Sequence, residues 1–332
     1  MIKNKKIGFY PYIEKDGIGR YISEVNKHLQ IDTIKSKYEI LSPMQFLFEK
    51  INNYDLLHIP NFLVPIRKTA KIVCTIQDII PLLDKSLFRY EQRLYLKQRI
   101  SWSLKKADHI IFTSNNTYKD VTSIFNFNNN YSIIPLGVTK PLQNLKRPKN
   151  QLKKYFLHVG RRRTHKNIQN IIRAFSQFDT EKYDLVLAGS KDKNDDELDK
   201  LALKLGIKKS VKFTGKLSDR ELAEFYENAI ALIYPSLYEG FGLPILEAMS
   251  YKCPVITSNR SSMKEISNNS ALMVDPENIS DLSSAMSSLI KNQDIRAQFI
   301  QKGLRNIKNF EWENTSKKTL EIYSSLLGVN VC

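Results

Sequence analysis

Two acidic residues flank a glycine turn in the segment Ile230-Ala-Leu-Ile-Tyr-Pro-Ser-Leu-Tyr-Glu239-Gly240-Phe241-Gly242-Leu243-Pro244-Ile-Leu-Glu247-Ala-Met249. The apolar run reads as a strand stopped by Pro235, and Pro244 falls where the first turn of a helix tolerates proline. A strand, a Gly-x-Gly turn and a helix start leave main-chain N–H groups and a positive dipole end open to an anion, and a diphosphate suits them. Carboxylates beside such a pocket repel the anion. They suit neutral hydroxyls instead, which a sugar and a ribose carry in pairs. Acids that only favour a helix dipole would leave the same trace at either position taken alone.

A second cluster follows the apolar run Tyr155-Phe-Leu-His-Val159. Gly160 is succeeded by Arg161, Arg162, Arg163, His165 and Lys166. A buried strand that releases a glycine and then four permanent cations offers partners to the anions of a leaving diphosphate, because guanidinium and ammonium groups stabilise charge that grows as a glycosyl bond breaks. A solvated loop is the other reading. Among the five histidines, His58 in Asp55-Leu-Leu-His58-Ile-Pro ends a strand and is weighed between the acceptor side of a site and a satisfied core position. His158 reads as packing, His28 and His109 as peripheral, and His165 as pointing to water. No histidines stand at metal-ligand spacing, and serine-nucleophile and P-loop patterns are absent.

These residues need elements to carry them. Short apolar runs, each followed by a stretch of helical period, recur at 6–10, 54–59, 72–76, 109–113 and 132–135, then again at 155–159, 183–188, 211–214, 230–234, 255–257 and 271–274. Strands alternating with helices predict parallel sheets covered on both faces. The chain of 332 residues is long enough for two domains. Between the two blocks, residues 139–152 hold Pro141, Pro148 and four cations and read as a linker. The last segment, Trp312 to Leu327, is amphipathic. Two Rossmann-like domains facing each other across a cleft are expected, with ligands outside the carboxyl ends of the strands.

Composition bounds the class. The apolar fraction is 42%, the formal charge +17, and the three cysteines, Cys74, Cys253 and Cys332, share no metal or disulfide spacing. No apolar run approaches a membrane span or a signal peptide, so a cytoplasmic chain is expected. Residues 1–150 carry 24 Lys and Arg against 12 Asp and Glu, a balance of +12, while residues 151–332 carry only +5. Leu87, Phe88, Tyr90, Leu94, Tyr95, Ile100, Trp102 and Leu104 fall near helical spacing with cations between them, which suits a basic helix lying on a membrane surface.

The segment from Glu239 to Met249, the Val-Gly-Arg…Lys166-Asn167 loop and Phe213-Thr214-Gly215-Lys216-Leu217 ahead of Glu221-Leu222…Phe225-Tyr226 together resemble glycosyltransferase family 4. The likeness continues through Val255 to Glu265 and Asp275-Pro276, and more weakly through Gly17-Ile18-Gly19-Arg20-Tyr21, Thr75-Ile76-Gln77-Asp78 and Ile134-Pro135-Leu136-Gly137. The resemblance implies an α/β chain of GT-B architecture. It implies an N-terminal acceptor domain of residues 1–140, joined by the C-terminal helix 313–332, and a nucleotide-sugar donor domain of residues 141–312. The implied reaction is a retaining transfer of a hexosyl or deoxyhexosyl group from a nucleotide-diphosphate sugar, such as a GDP- or UDP-sugar, to a hydroxyl of a glycan or lipid-linked glycan. No metal and no further cofactor are implied, nor any nucleic acid.

By that likeness Glu247 holds the ribose diol, Glu239 contacts the donor sugar, and Gly240, Phe241, Gly242 and Leu243 hold the diphosphate. Lys166 and Arg161 neutralise it, with Arg162 and Arg163 as substitutes for Arg161, and Thr214, Lys216 and Leu217 flank the base. Gly17 and Gly19 let the backbone approach the donor phosphate or acceptor. Gln77, Asp78 and His58 lie on the acceptor or sugar side. At Gln77 relatives commonly carry histidine; glutamine can hydrogen-bond there but not transfer a proton. Peripheral membrane contact through the basic N-terminal half is a further expectation. A sugar-nucleotide epimerase or phosphorylase on the same frame, and a basic nucleic-acid-binding protein, are the alternatives.

Overall fold

The computed structural model describes residues 5–11, 17–39, 42–67, 69–84, 88–145, 152–190 and 195–329. The middle of the predicted linker, Leu87 of the predicted basic helix, and Cys332 lie outside them. The chain divides into two units, residues 1–137 with 310–332, and residues 138–309.

The first unit runs β1 (Ile7–Phe9), α1 (Gly17–Leu29), β2 (Asp32–Thr33), α2 (Pro43–Phe48), β3 (Leu56–Ile59), β4 (Lys71–Ile76), α3 (Ile80–Leu83), α4 (Tyr90–Lys106), β5 (His109–Phe112), α5 (Asn115–Ile124) and β6 (Asn130–Ile133). Its six strands lie in the order β2-β1-β3-β4-β5-β6 and pair in parallel. β3 is buried along its whole length, as a strand covered on both faces must be. Leu57 and Ile59 enter one core with Leu96, Ile100 and Leu104 of α4. His58, between them, therefore points to the opposite face. There it packs against Phe9 and Tyr21.

The second unit runs β7 (Lys154–Val159), a single 3₁₀ turn at Thr164–Lys166, α6 (Ile168–Phe175), β8 (Tyr183–Ala188), α7 (Asp195–Lys204), β9 (Val211–Gly215), α8 (Asp219–Asn228), β10 (Leu232–Tyr234), α9 (Leu243–Ser250), β11 (Val255–Ser258), α10 (Ser261–Ser267), β12 (Leu272–Val274), α11 (Ile279–Lys291) and α12 (Gln293–Asn306). These strands are also parallel, in the order β12-β11-β10-β7-β8-β9. That order places β7 and β10 side by side at the centre, so the loops leaving them emerge next to each other.

The chain then returns to the first unit as α13 (Trp312–Leu327). Its buried stripe carries hydroxyls among its apolar residues. It runs through Trp312, Thr315, Ser316, Thr319, Ile322 and Tyr323. Ser316 and Thr319 return their hydroxyls to the carbonyls four residues earlier, at 2.7 Å each, which satisfies them inside the packing.

Two expectations, for β6 and α4, are corrected, and β2 was not foreseen. β2 has two residues, both exposed, so it carried no apolar signal. β6 begins two residues before the predicted run because, as an edge strand, it is mostly solvent-facing. In α4 the buried face is Leu96, Arg99, Ile100, Ser103 and Leu104, while Tyr90 and Leu94 stand in solvent. One cation of the predicted polar side is thus inside, and two of the predicted apolar residues are outside.

Candidate functional site

The chemistry-bearing residues of the second unit gather where β7 and β10 end. Lys166 closes the 3₁₀ turn after β7, and its ammonium donates to Glu239 Oε1 at 2.5 Å and to the Tyr234 hydroxyl at 2.8 Å. An ammonium carries three N–H donors. Two are used, which leaves one directed to neither partner. Glu239 is 7% exposed. Burial pushes its carboxyl up, but the Lys166 ammonium and the His165 ring together outweigh burial and hold it below the usual carboxylate range. The acid is therefore a buried carboxylate held in its charged form. Burial, then the neighbouring Glu239, drives the Tyr234 phenol far above its ordinary value, so it stays neutral.

The turn after Glu239 is pinned from α10. The Glu239 amide donates to the Ser261 hydroxyl at 3.0 Å, and Ser262 donates to the carbonyls of Glu239 and Phe241 at 2.8 and 2.9 Å. Gly242 caps α9 at φ +107°, where a side chain is strained. Gly242 and Leu243 precede the first helical rung of α9, so their amides have no helical acceptor. One turn further on, Glu247 is 8% exposed and accepts from the Tyr226 hydroxyl at 2.9 Å. Tyr226 stacks on Tyr251 at an interplanar angle of 6°, which fixes the phenol that orients Glu247.

Three glycines line up across the ends of β7, β8 and β9. The Gly160 amide donates to Ala188 at 2.9 Å, and that of Gly189 to Gly215 at 3.1 Å. All three have positive φ, +144°, +150° and +73°. This places Thr214, Lys216 and Leu217 on the same sheet edge as Arg161, at its outer strand. Lys216 is exposed, and the Thr214 hydroxyl turns to the Gly215 carbonyl at 3.0 Å.

The arginines separate cleanly. Arg161 is exposed. Arg162 is buried, pairs with Asp195 at 3.1 Å and donates to the carbonyls of Ser190 and Leu187, so it braces β8 and α7 and does not substitute for Arg161. Arg163 is half-buried. His165, expected to face water, is buried, and its carbonyl accepts from the Leu237 amide at 2.7 Å. That bond ties the cationic turn to the segment carrying Glu239.

In the first unit, Gln77 and Asp78 follow β4, and Gly17 and Gly19 open α1. A Cβ on Gly17 would stand 4.0 Å from Gln77 Oε1, so the two places meet. The Gln77 Nε2 has no hydrogen-bond partner, while its carbonyl takes the hydroxyls of Thr113 and Thr117 at 3.1 and 3.0 Å. Asp78 Oδ1 accepts from the Ile80 amide at 2.9 Å, capping the end of β4. His58 does not line a surface. It is fully buried, with Nδ1 against the Tyr323 hydroxyl and Nε2 2.6 Å from Thr75 Oγ1. The acceptor-side expectation for His58 is corrected, because the alternation of β3 sends it into the core.

Tyr234, Tyr226 and the Ser261–Ser262 pair were missed as site residues. Tyr234 sits inside the quoted motif, two residues after Leu232 at the end of an apolar strand, and a hydroxyl there was the available signal. His158 is a packing residue, as expected, and it packs beside the site. It stacks on Tyr234, donates from Nδ1 to the Ile233 carbonyl at 2.9 Å, and its Nε2 has no partner.

Burial lowers the two core histidines, His58 to about 3 and His158 to about 4. The unfolded chain binds their protons near pH 6.5, while the folded chain excludes them until much lower pH. Stability is therefore complete above pH 6.5 and falls as pH drops below it, by about 1.4 kcal/mol per pH unit for each histidine. Urea unfolding at pH 7 and pH 5 should show this loss. A His158→Asn variant should show a shallower dependence, and an unchanged one would remove His158 from the account.

The family model described as "Glycosyl transferases group 1" matches residues 140–305. The chain is 28% identical over 303 residues to the O-antigen chain mannosyltransferase B of Escherichia coli, covering 87% of this chain and 79% of that protein. It is 30% identical over 242 residues to the O-antigen chain mannosyltransferase RfbU of Salmonella typhimurium, covering 69% and 67%. Its fold is similar to that of sucrose-phosphate synthase from Thermosynechococcus elongatus, with a TM-score of 0.81 at 18% identity over 98% of this chain and 100% of that one. The two parallel sheets make this an α/β two-domain GT-B fold, and with the motif-bearing unit matched along its length, the chain belongs to the glycosyl transferases group 1 and is a glycosyltransferase.

Proposed function

We propose that the chain moves a mannosyl group from a nucleotide-diphosphate sugar to a hydroxyl of a glycan or lipid-linked glycan, with retention at the anomeric carbon and without a metal. The unit of residues 138–309 takes the donor and the unit of residues 1–137 with 310–332 takes the acceptor. The observation that carries this reading is the Lys166 ammonium, held by Glu239 and Tyr234 with one N–H left for an oxyanion; the Gly242 and Leu243 amides, which have no helical acceptor, follow in the turn after Glu239. A leaving diphosphate gains charge as the glycosyl bond breaks, and a preorganised cation and free amides favour that state over the ground state. Mannose is carried over from the names of the two relatives, both mannosyltransferases. Arg161, Thr214, Lys216 and Leu217 are assigned to the phosphate and base, and Gly17, Gly19, Gln77 and Asp78 to the acceptor or sugar, Gln77 through its unpartnered amide.

The test is product analysis. Incubation with nucleotide-activated mannose and a mannosylated glycan should give a product whose anomeric configuration matches the donor's, at a rate indifferent to a chelator. An inverted product, or activity abolished by the chelator, refutes the corresponding part. Glu247→Ala removes a carboxylate that suits a ribose diol. Donor affinity should fall about 10- to 100-fold, the equivalent of one charge-assisted hydrogen bond or a little more. Calorimetric titration of the nucleotide measures it, and unchanged affinity takes Glu247 out of the ribose role.

The reading extends to peripheral contact with an anionic membrane, supported by the +12 balance of residues 1–150. No helix among the described residues is long and apolar enough to cross a membrane. Flotation with anionic vesicles at low salt should carry the protein; failure to float ends this part of the reading.

A further inference from the structure

We propose that the first unit holds a binding site for a phosphate-type oxyanion, built on Arg99 and Tyr95 of α4. The Arg99 guanidinium is 1% exposed, and none of its three nitrogens has a hydrogen-bond partner. Burial lowers its pKa only to about 10, so it remains a cation at neutral pH. Tyr95 stands one helical turn earlier on the same face, close enough to act on the Arg99 charge, and its hydroxyl is also buried without a partner. An uncompensated buried charge is among the most unfavourable features a fold can carry. Both groups arise from one face of one helix.

The neighbouring polar groups are engaged with one another. The Tyr10 hydroxyl donates to Ser36 at 3.4 Å and accepts from Gln45 at 3.1 Å. The buried Glu49 carboxylate takes the Ser36 hydroxyl at 2.7 Å and the Lys37 amide at 3.2 Å. What is left unmet is entirely donor, the guanidinium N–H fork and one phenol O–H. Donors call for an acceptor, the cation for an anion, and the planar fork for two oxygens on one centre, which a phosphate supplies. The Phe46 ring lies 3.8 Å from the guanidinium and supports it by a cation–π contact. That contact pairs none of the guanidinium nitrogens.

Part of the cover over the guanidinium comes from α2. Phe46 is half-buried on the six-residue α2, whose Met44, Leu47 and Phe48 are all exposed. An oxyanion could come from free phosphate or from the head of an amphiphile whose tail lies on those side chains. The site does not depend on sugar transfer, because its test reads binding alone.

The experiment titrates the full-length protein with inorganic phosphate and, separately, with dihexanoyl phosphatidic acid, following the thermal midpoint. Wild type, Arg99→Met, Arg99→Lys and Tyr95→Phe are compared, and any phosphate taken by the second unit contributes equally to all four. The half-saturating phosphate concentration should rise about tenfold or more in Arg99→Met, as loss of a charged hydrogen-bond donor requires, and by a smaller factor in Tyr95→Phe. Without ligand, Arg99→Met should melt higher than wild type, since an apolar chain replaces a buried charge. Should Arg99→Met not fold, Arg99→Lys decides, because a point charge without the fork must bind phosphate more weakly. Equal half-saturation in wild type and the Arg99 variants overturns the site. Tighter binding of phosphatidic acid, with the advantage lost in Leu47→Ser, identifies an amphiphile as the source; equal binding of the two probes identifies free phosphate.

Discussion

Lys166→Met is expected to lose both turnover and stability, and the two losses should separate in a double variant. Removing the ammonium takes away a cation aimed at developing negative charge, for which about 10²- to 10³-fold in kcat is the usual scale. It also strands Glu239, whose side chain is 9% exposed against 14% for Lys166. Breaking a buried pair by deleting one member costs about 3–5 kcal/mol, because the other charge is left without compensation. Lys166→Met/Glu239→Gln removes that stranded charge, so urea unfolding should recover most of the stability. Turnover should not rise above the level of the single variant. A double variant no more stable than Lys166→Met would show that the pair is not coupled, and turnover close to wild type in the single variant would remove Lys166 from the chemistry.

The pairing of Lys166 with Glu239 was not legible in the sequence, although both residues were. Each stands after an apolar run, and each run became a strand, β7 and β10. Period and punctuation reveal that much. That β10 lies beside β7 is a matter of strand order, which no local pattern encodes, and it is strand order that brings the ammonium onto the carboxylate. The same limit explains the arginines. Three successive arginines look alike in sequence, yet only Arg162 turns inward to Asp195, which α7 delivers from 33 positions away. His58 was misassigned for a related reason. A histidine ending an apolar strand belongs to either face until its neighbours are known, and here Leu57 and Ile59 claim the core shared with α4. In α13 the period was readable, but no local signal shows that the back-bonded hydroxyls of Ser316 and Thr319 share the buried stripe with Ile322 and Tyr323.

Gly189→Ala should be the most damaging single methyl group in the second unit. A Cβ there would stand 2.1 Å from the Gly160 carbonyl oxygen and 2.9 Å from its carbon, at φ +150°. Both atoms are backbone, so no side chain can swing away. Retreat is blocked on either side, since the Gly160 amide is held by Ala188 and the Gly189 amide by Gly215. Overpacking of about 1–3 kcal/mol and backbone strain of about 1–3 kcal/mol place the total near 4 kcal/mol. Gly206→Ala is the control. Its φ is +72° but its Cβ would meet nothing within 4 Å, so it carries the strain of about 1–2 kcal/mol without the collision. The displaced Gly160 carbonyl begins the turn that ends in Lys166, so whatever Gly189→Ala protein folds should also bind nucleotide poorly, while Gly206→Ala binds normally. Equal urea midpoints for the two variants would mean that the strand ends around Gly160 yield easily, and the preorganisation claimed for the Lys166 ammonium would have no rigid base.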